Sequence, residues 1–332
     1  MKVLIAGGAG YIGSTIASCC EGAGITPVIL DDYSTGLRVF ASRYAHYEGD
    51  IADEALLDRI VAEHPDIDAL IHCAAKIVVP ESVAQPLTYY GTNVGKAIAL
   101  VEALSARGVT KVLFSSTAAM YEPDPDFMVS ESSALNPGSP YAVSKWMLER
   151  VLADTAATGR ITATTLRYFN PIGADPRMRT GLQNPAPSHA LGKMLSAHAA
   201  GETFYVTGTD WPTRDGSGLR DYIHVWDLAR AHVLALQADL GAYEVINLGT
   251  GTGTTVFELA AAVGEATGTA LKVGRAPRRE GDAVGAAARI DKAAALLGWA
   301  PELSVADGVR HSLEWSGRLP EVLRAEEELR GS

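Results

Sequence analysis

Short apolar runs and longer stretches of helical spacing take turns along the first half of this chain. Residues 3–6, 28–30, 69–72, 111–115 and 163–166 read as strands that are apolar at nearly every position. Between them, residues 12–21, 56–62, 94–106 and the segment after Pro140 read as helices. Strand–helix alternation predicts a parallel sheet with helices on both faces, and right-handed crossovers then give a doubly wound, Rossmann-type α/β fold. The rhythm breaks after Arg167. Residues 170–187 are rich in Pro, Gly, Arg and Asn and read as one long irregular segment, of the kind that usually serves function. Strand signal returns at 245–248. The expected division is a first domain over 1–169, rejoined by about 221–248, and a smaller mixed domain over 170–332 with the site in the cleft between them. The last residues, 326–332, read as a charged, frayed tail.

The first strand runs directly into Gly7-Gly8-Ala9-Gly10-Tyr11-Ile12-Gly13. A dinucleotide pyrophosphate needs bare backbone N–H groups and the positive end of a helix, and side chains would block that approach. Placed after a strand and before a helix, the pattern points to dinucleotide binding rather than an ordinary glycine-rich turn. Asp31 closes the second strand, 18 residues beyond Gly13. A carboxylate there accepts hydrogen bonds from a ribose 2′-hydroxyl and repels a 2′-phosphate, which favours NAD over NADP. Asp50 and Ile51 are weaker candidates for the adenine end.

Tyr141 and Lys145 share one face of the helix after Pro140 by their i,i+4 spacing. A nearby ammonium and a positively charged nicotinamide would favour the phenolate, so Tyr141 is a candidate proton acceptor and Lys145 a candidate ribose ligand. The alternative is a surface Tyr and Lys at helical spacing. Upstream, Thr117 follows the fourth strand, where a hydroxyl faces the cofactor crevice and can relay a proton. Ser115 and Ser116 are as readily strand-end capping hydroxyls.

Composition narrows the class. The 332 residues are 47% hydrophobic and 20% charged, with a formal net charge of −11. That balance disfavours broad nucleic-acid or membrane-surface binding. No apolar stretch reaches the length of a membrane span, and the N-terminus does not read as a signal peptide. Cys19, Cys20 and Cys73 lack zinc spacing and read as buried reduced thiols of a cytoplasmic protein. His46, His64 and His72 show no metal-ligand spacing, so no metal is expected. Trp146, Trp226, Trp299 and Trp315 read as packing residues.

The segments GGAGYIGS (7–14), ILDDYSTG (29–36), EGDI (48–51), IHCAAK (71–76), FSSTAAMY (114–121), YAVSK (141–145), RYFNPIGA (167–174), RDYIHVWDLA (220–229), INLGTG (246–251) and PRREGD (277–282) together resemble the extended short-chain dehydrogenase/reductases, and within them the UDP-glucose 4-epimerases. The resemblance runs over nearly the whole length. It implies NAD-dependent inversion at C4 of a UDP-hexose through a 4-keto intermediate with reversible hydride transfer. It makes Tyr141 the base, Lys145 its partner and Thr117 the second hydroxyl, and it places Tyr11, Ile12 and Ala74 at the cofactor with Gly7, Gly10 and Gly13. Asn170, Arg220 and Arg279 would hold the diphosphate and Asp282 the uridine ribose. Read from the residues alone, Arg220 pairs with Asp221, and Arg279 with Glu280 or Asp282. His189, beside Ser188, would be a further diphosphate ligand, and Tyr205 would stack on uracil where Thr207 stands in place of a usual Phe. Ala286 replaces a bulky Tyr and implies turnover of UDP-N-acetylhexosamines. Relatives are mostly homodimers pairing helices of the Rossmann half. Glu122 and Pro80 depart from the family pattern without explanation. Other chemistry uses the same scaffold: UDP-glucuronate epimerases and decarboxylases, 4,6-dehydratases (which place Asp-Glu where Ala118-Ala119 stand here), and NAD-sensing or RNA-binding non-enzymes.

Overall fold

The computed structural model describes residues 1–187, 189–278 and 283–331. The apolar runs form one seven-stranded, wholly parallel sheet. Its strands are β1 (Lys2–Ala6), β2 (Thr26–Asp31), β3 (Ala45–Glu48), β4 (Ile67–His72), β5 (Lys111–Ser115), β6 (Thr162–Tyr168) and β7 (Tyr243–Leu248), in spatial order β7-β6-β5-β4-β1-β2-β3. Alternate residues of one strand enter opposite cores, as a period of two requires. Val3 and Ile5 join Ile29, Ile71 and Leu113 on one face, while Leu4 and Ala6 join Val28, Leu70 and Phe114 on the other. Burial on both faces explains why these strands are apolar at successive positions.

The helices are α1 (Tyr11–Gly22), α2 (Arg38–Ala41), α3 (Glu54–Glu63), α4 (Val79–Ala84), α5 (Pro86–Tyr90), α6 (Ala97–Ala106), α7 (Pro140–Ala157), α8 (Ala190–Ala200), α9 (Val225–Gln237), α10 (Val256–Thr267), α11 (Asp291–Leu297) and α12 (Val305–Gly331). Their ends carry recognisable stops. The Asp53 side chain accepts from Leu56 N–H to cap α3, Ser139 caps α7 with Pro140 next to it, and Thr255 and Glu258 form a reciprocal capping box on α10. Between α5 and α6 the chain widens into a π-helical stretch, Gly91–Lys96.

The chain runs outward through β2 and β3, then crosses back to β4 beside β1. The sequence order therefore reverses between β1 and β4, and a crevice forms outside the carboxyl ends of the strands there. The long segment expected over 170–187 begins as a strand, Asn170–Ile172, paired in parallel with Tyr222–His224, and only then becomes irregular. A third apolar core, with Leu191, Met194, Leu259 and Val263, gathers α8 and α10. The frayed tail is not observed: α12 continues through Gly331, and Glu326 within it is buried. Trp299 and Trp315 pack internally, but Trp146 is exposed. Among the described residues no helix is long and apolar enough to cross a membrane, and no metal-binding group of His, Cys, Asp or Glu is present.

Candidate active site

The glycine turn is built by close backbone approach. Gly7 has φ +81°, and a Cβ on it would lie 2.5 Å from the Ala74 nitrogen. A Cβ on Gly13 would lie 2.2 Å from the Gly7 carbonyl oxygen. Both positions are closed to any side chain by the protein itself. Gly10 is different. Its nearest atom to a built Cβ is the Gly7 oxygen at 3.6 Å, so the space there is open to an incoming group. Gly10 is also the N-cap of α1, with no side-chain cap and no acidic residue in the first turn, which leaves positive N–H groups facing that space. An open cradle at an uncapped helix N-terminus fits a pyrophosphate. Ile12 packs on the core behind, and the Tyr11 hydroxyl donates to the Gly173 carbonyl at 2.7 Å, tying the turn to the irregular segment.

Asp31 sits beside this cradle. Its carboxylate accepts from Ala9 N–H and Tyr33 N–H, each at 2.9 Å. Burial pushes the carboxyl above the usual range, and the two N–H groups offset part of that. Four lone pairs leave room for ribose hydroxyls. Asp50 is held by Lys96 and by the Ala52 N–H, while Ile51 is buried. The Ala74 N–H donates to Ala6 O at 2.9 Å.

Tyr141 and Thr117 come together at the carboxyl end of β5, close enough for the Thr117 hydroxyl to favour the ionised form of the phenol. Thr117 Oγ1 also accepts from Ala119 N–H at 3.2 Å. Lys145 is buried; its Nζ donates to the Ser115 carbonyl at 2.8 Å and lies 4.8 Å from the Phe114 ring centroid. Burial brings its pKa down to about 8. The depressed phenol expected from an adjacent ammonium is absent in the protein alone. Burial pushes Tyr141 up and Thr117 opposes that rise, while the Lys145 ammonium points at the Ser115 carbonyl. Behind them, the Ser115 hydroxyl is within 3.2 Å of Cys73 Sγ and 3.0 Å of His232 Nε2.

On the far side of the crevice a cavity of about 460 Å³ is lined by Lys193, Tyr205, Thr207, Trp211, Arg220 and Tyr222 among others. Arg220 does not pair with Asp221. Its guanidinium donates to the carbonyls of Leu219 at 2.8 Å, Val284 at 2.7 Å and Ala283 at 3.2 Å. Asp221 is fully buried and accepts from Thr250 N–H and Oγ1, each at 2.7 Å, and from Ala288 N–H at 3.0 Å. Asn170 Nδ2 donates to the Asp221 carbonyl at 3.1 Å. His189 is exposed but not available to a ligand through both nitrogens: its Nδ1 accepts from Gly192 N–H at 3.2 Å and caps α8. Tyr205 is 60% exposed, against Gly274, where a Cβ would clash with its ring. Trp211 stacks under Arg278 at 3.5 Å, and Asp210 fixes that guanidinium through its carboxylate at 2.8 Å and its carbonyl at 2.9 Å. Ala286 is half-buried, just before the short pairing of Ala287–Ala288 with Met128–Val129. Arg279, Asp282 and Ser188 lie outside the described residues.

The profile of the NAD dependent epimerase/dehydratase family matches residues 3–249. The chain belongs to that family. The UDP-glucose 4-epimerase of Azospirillum brasilense is 40% identical to it over 324 residues, covering 96% of this chain and 92% of its own. The UDP-glucose 4-epimerase structure from Stenotrophomonas maltophila, with bound NAD and formylated UDP-arabinopyranose, matches with a TM-score of 0.91 at 36% identity, over 97% of this chain and 99% of that one. That from Bifidobacterium longum, in complex with NAD+ and UDP, matches at 0.87 and 34% identity, over 97% of this chain and all of that one (100%).

In this member of the epimerase/dehydratase family, three supports escaped the sequence reading. Asn93, in the π-helical stretch, accepts from Lys76 N–H at 2.8 Å and donates to Lys76 O at 2.9 Å and Ser144 Oγ at 3.1 Å, pinning α7 one residue before Lys145. π-Bulges commonly mark functional sites, but their residues show no distinct periodicity. Glu149, buried beneath Lys145, is paired with Arg167 and accepts from Ser116 Oγ at 2.5 Å. Its i,i+4 spacing from Lys145 was the available signal. Trp211 and Arg278 are brought together only by the fold.

Proposed function

We propose that this chain interconverts the C4 epimers of a UDP-hexose, UDP-galactose and UDP-glucose first, with NAD held in the glycine cradle. The observation that carries this reading is the meeting of Tyr141 and Thr117 at the carboxyl end of β5, where buried Lys145 is fixed on Ser115, with the open space at Gly10 at the same edge of the parallel sheet. Bound there, NAD supplies the hydride chemistry at C4. The chain's own residues move the proton and hold the substrate. Tyr141 accepts the proton of the sugar 4-hydroxyl, with Thr117 as relay, and returns it at the end of the cycle. The positive charge of an oxidised nicotinamide lowers a phenol that the protein alone keeps high. Lys145, fixed by Ser115, holds the nicotinamide ribose. Arg220, with Asn170 alongside, grips the diphosphate, and Arg279, Asp282, His189 and Tyr205 complete the nucleotide site as the family resemblance implies. A tight grip on UDP and a loose sugar pocket let the sugar present either face. Ala118 and Ala119 have no acid–base groups, which disfavours dehydration.

The deciding experiment supplies UDP-galactose to the purified protein with no added cofactor. UDP-glucose should form, and its absence even with added NAD would sink the proposal. Since the base acts as phenolate, turnover should rise with pH through an ionisation that Tyr141→Phe lacks.

We assign cofactor binding to 1–169 with 221–248, and UDP-sugar binding mainly to 170–332, in a cytoplasmic enzyme. The small side chain at Ala286 leaves room for a 2-N-acetyl group, so UDP-N-acetylglucosamine should be turned over. Ala286→Tyr should cut that activity about tenfold, the cost of roughly 1.4 kcal/mol, while sparing UDP-galactose. Equal losses on both substrates would refute the assignment. We also infer a homodimer. Val83, Leu87, Ile98, Trp146 and Met147 expose apolar surface on α4 to α7, and Leu87 is 84% exposed. Sedimentation should give twice the chain mass, and Leu87→Glu should yield a monomer; a monomeric parent excludes the dimer.

A further inference from the structure

The C-terminal end of α12 reaches the cofactor half of the molecule and ends on the loop that follows Asp31. Glu326 is 3% exposed. Its Oε2 accepts from the Val39 N–H at 3.0 Å, 287 residues away in sequence. Its Oε1 accepts from Arg330 Nε at 2.8 Å and lies 3.7 Å from Arg38 Nη1. Val39 is in the first turn of α2, whose N-cap, Leu37, offers no side-chain acceptor. Glu326 therefore supplies from a distant element both the missing acceptor and the negative charge that the start of a helix favours.

The loop held this way lies on the cradle. Leu37 N–H donates to Ala9 O at 3.0 Å, and Tyr33 N–H to Asp31. Gly36 sits so close that a Cβ would lie 2.8 Å from Ala9 Cβ and 2.9 Å from Asp31 Oδ1. Tyr33 holds φ +53°, a conformation a tyrosine keeps only when its surroundings impose it. Arg38 completes the clamp, lying 4.5 Å over the Tyr33 ring and pairing with Glu48 at 2.6 Å. Beneath the loop, Leu37 and Phe40 share a small core with Met178 and with Trp315 of α12, whose indole donates to Leu182 O at 2.8 Å. This loop thus depends on α12 for its outer support.

We infer that Glu326 is a positioning residue of the dinucleotide site, latching residues 32–41 against the glycine turn and slowing the departure of NAD. The inference rests on the reading of that cradle as the NAD site. A buried carboxylate is costly unless paired, and here all its partners belong to that loop or to its own helix turn.

The test measures release of NAD from the purified holoenzyme into an excess of an NAD-consuming trap, alongside thermal unfolding with and without added NAD. Glu326→Ala removes the cap acceptor and the charge, and release should quicken about tenfold. Glu326→Gln keeps an acceptor but not the charge, and should quicken it about threefold. Glu327→Ala, an exposed neighbour, should match the parent. The unfolding temperature should fall more with NAD than without it, as expected when affinity is lost along with any general stability. Release from Glu326→Ala within twofold of the parent, or equal losses of unfolding temperature in both conditions, overturns the inference. If Glu326→Ala does not fold, Glu326→Gln decides by the same comparison. A parent that binds no NAD even when NAD is supplied would instead defeat the cofactor reading itself.

Discussion

Replacing Tyr141 with phenylalanine should leave a folded, NAD-retaining protein that converts UDP-galactose about 10²- to 10⁴-fold more slowly, the usual range for removal of a proton-transfer group. The substitution deletes one oxygen from a ring set in the first turn of α7, a helix independently fixed by the Ser139 cap and by the Asn93 bonds to Lys76 and Ser144. The loss should therefore fall on kcat, with KM for the UDP-sugar little changed, because the nucleotide is gripped across the crevice. Thr117 is the side chain that favours ionisation of the phenol. Thr117→Val should thus slow turnover less than Tyr141→Phe, since water can replace a relay but nothing replaces the base. Steady-state kinetics together with bound NAD, measured by absorbance, check this. A Tyr141→Phe enzyme within tenfold of the parent would remove Tyr141 from the chemistry.

The chemistry was legible because it sits where local pattern and topology agree. Continuous apolar runs marked six of the seven sheet strands, and the carboxyl ends of those strands carry Gly7, Asp31 and Thr117 by construction. The seventh, β3, was invisible: Ala-His-Tyr-Glu has only Tyr47 buried, as an edge strand facing water allows. The tail was misread because its charges dominate composition, although Trp315, Leu319 and Glu326 fall on one helical face. Pro320 inside that helix breaks the expected pattern. Arg220 shows the limit of reading neighbours. The adjacent Asp221 was the obvious partner, but Arg220 ends one short strand and Asp221 is the single residue before the next, with its carboxylate turned inward to Thr250 and Ala288. Partners set by tertiary contact, such as Glu326 with Val39 or Tyr121 with Asn247, leave no trace in local spacing.

Arg167→Met should cost about 3–5 kcal/mol of stability, the penalty for stranding one member of a buried ion pair. Arg167 and Glu149 are both nearly inaccessible and joined by bonds of 2.5 to 3.2 Å from Nε and Nη2. Arg167 Nη1 also donates to the Tyr121 hydroxyl at 2.8 Å, and Tyr121 donates to Asn247 Oδ1 at 2.7 Å. One guanidinium thus joins β6, β7, α7 and the segment after β5. Burial opposes its charge, and Glu149 more than restores it, so Arg167 stays cationic. With Met in its place, the Glu149 carboxylate keeps the Ser116 hydroxyl and the field of the Lys145 ammonium but loses its ion-pair partner. The double variant Arg167→Met/Glu149→Leu should recover most of the lost stability, since apolar replacement of a whole buried pair is often neutral. Denaturant unfolding of the two variants decides the matter. A double variant no more stable than the single one would mean that the link to Tyr121 and Asn247, rather than an uncompensated charge, makes Arg167 indispensable to the floor of the active site.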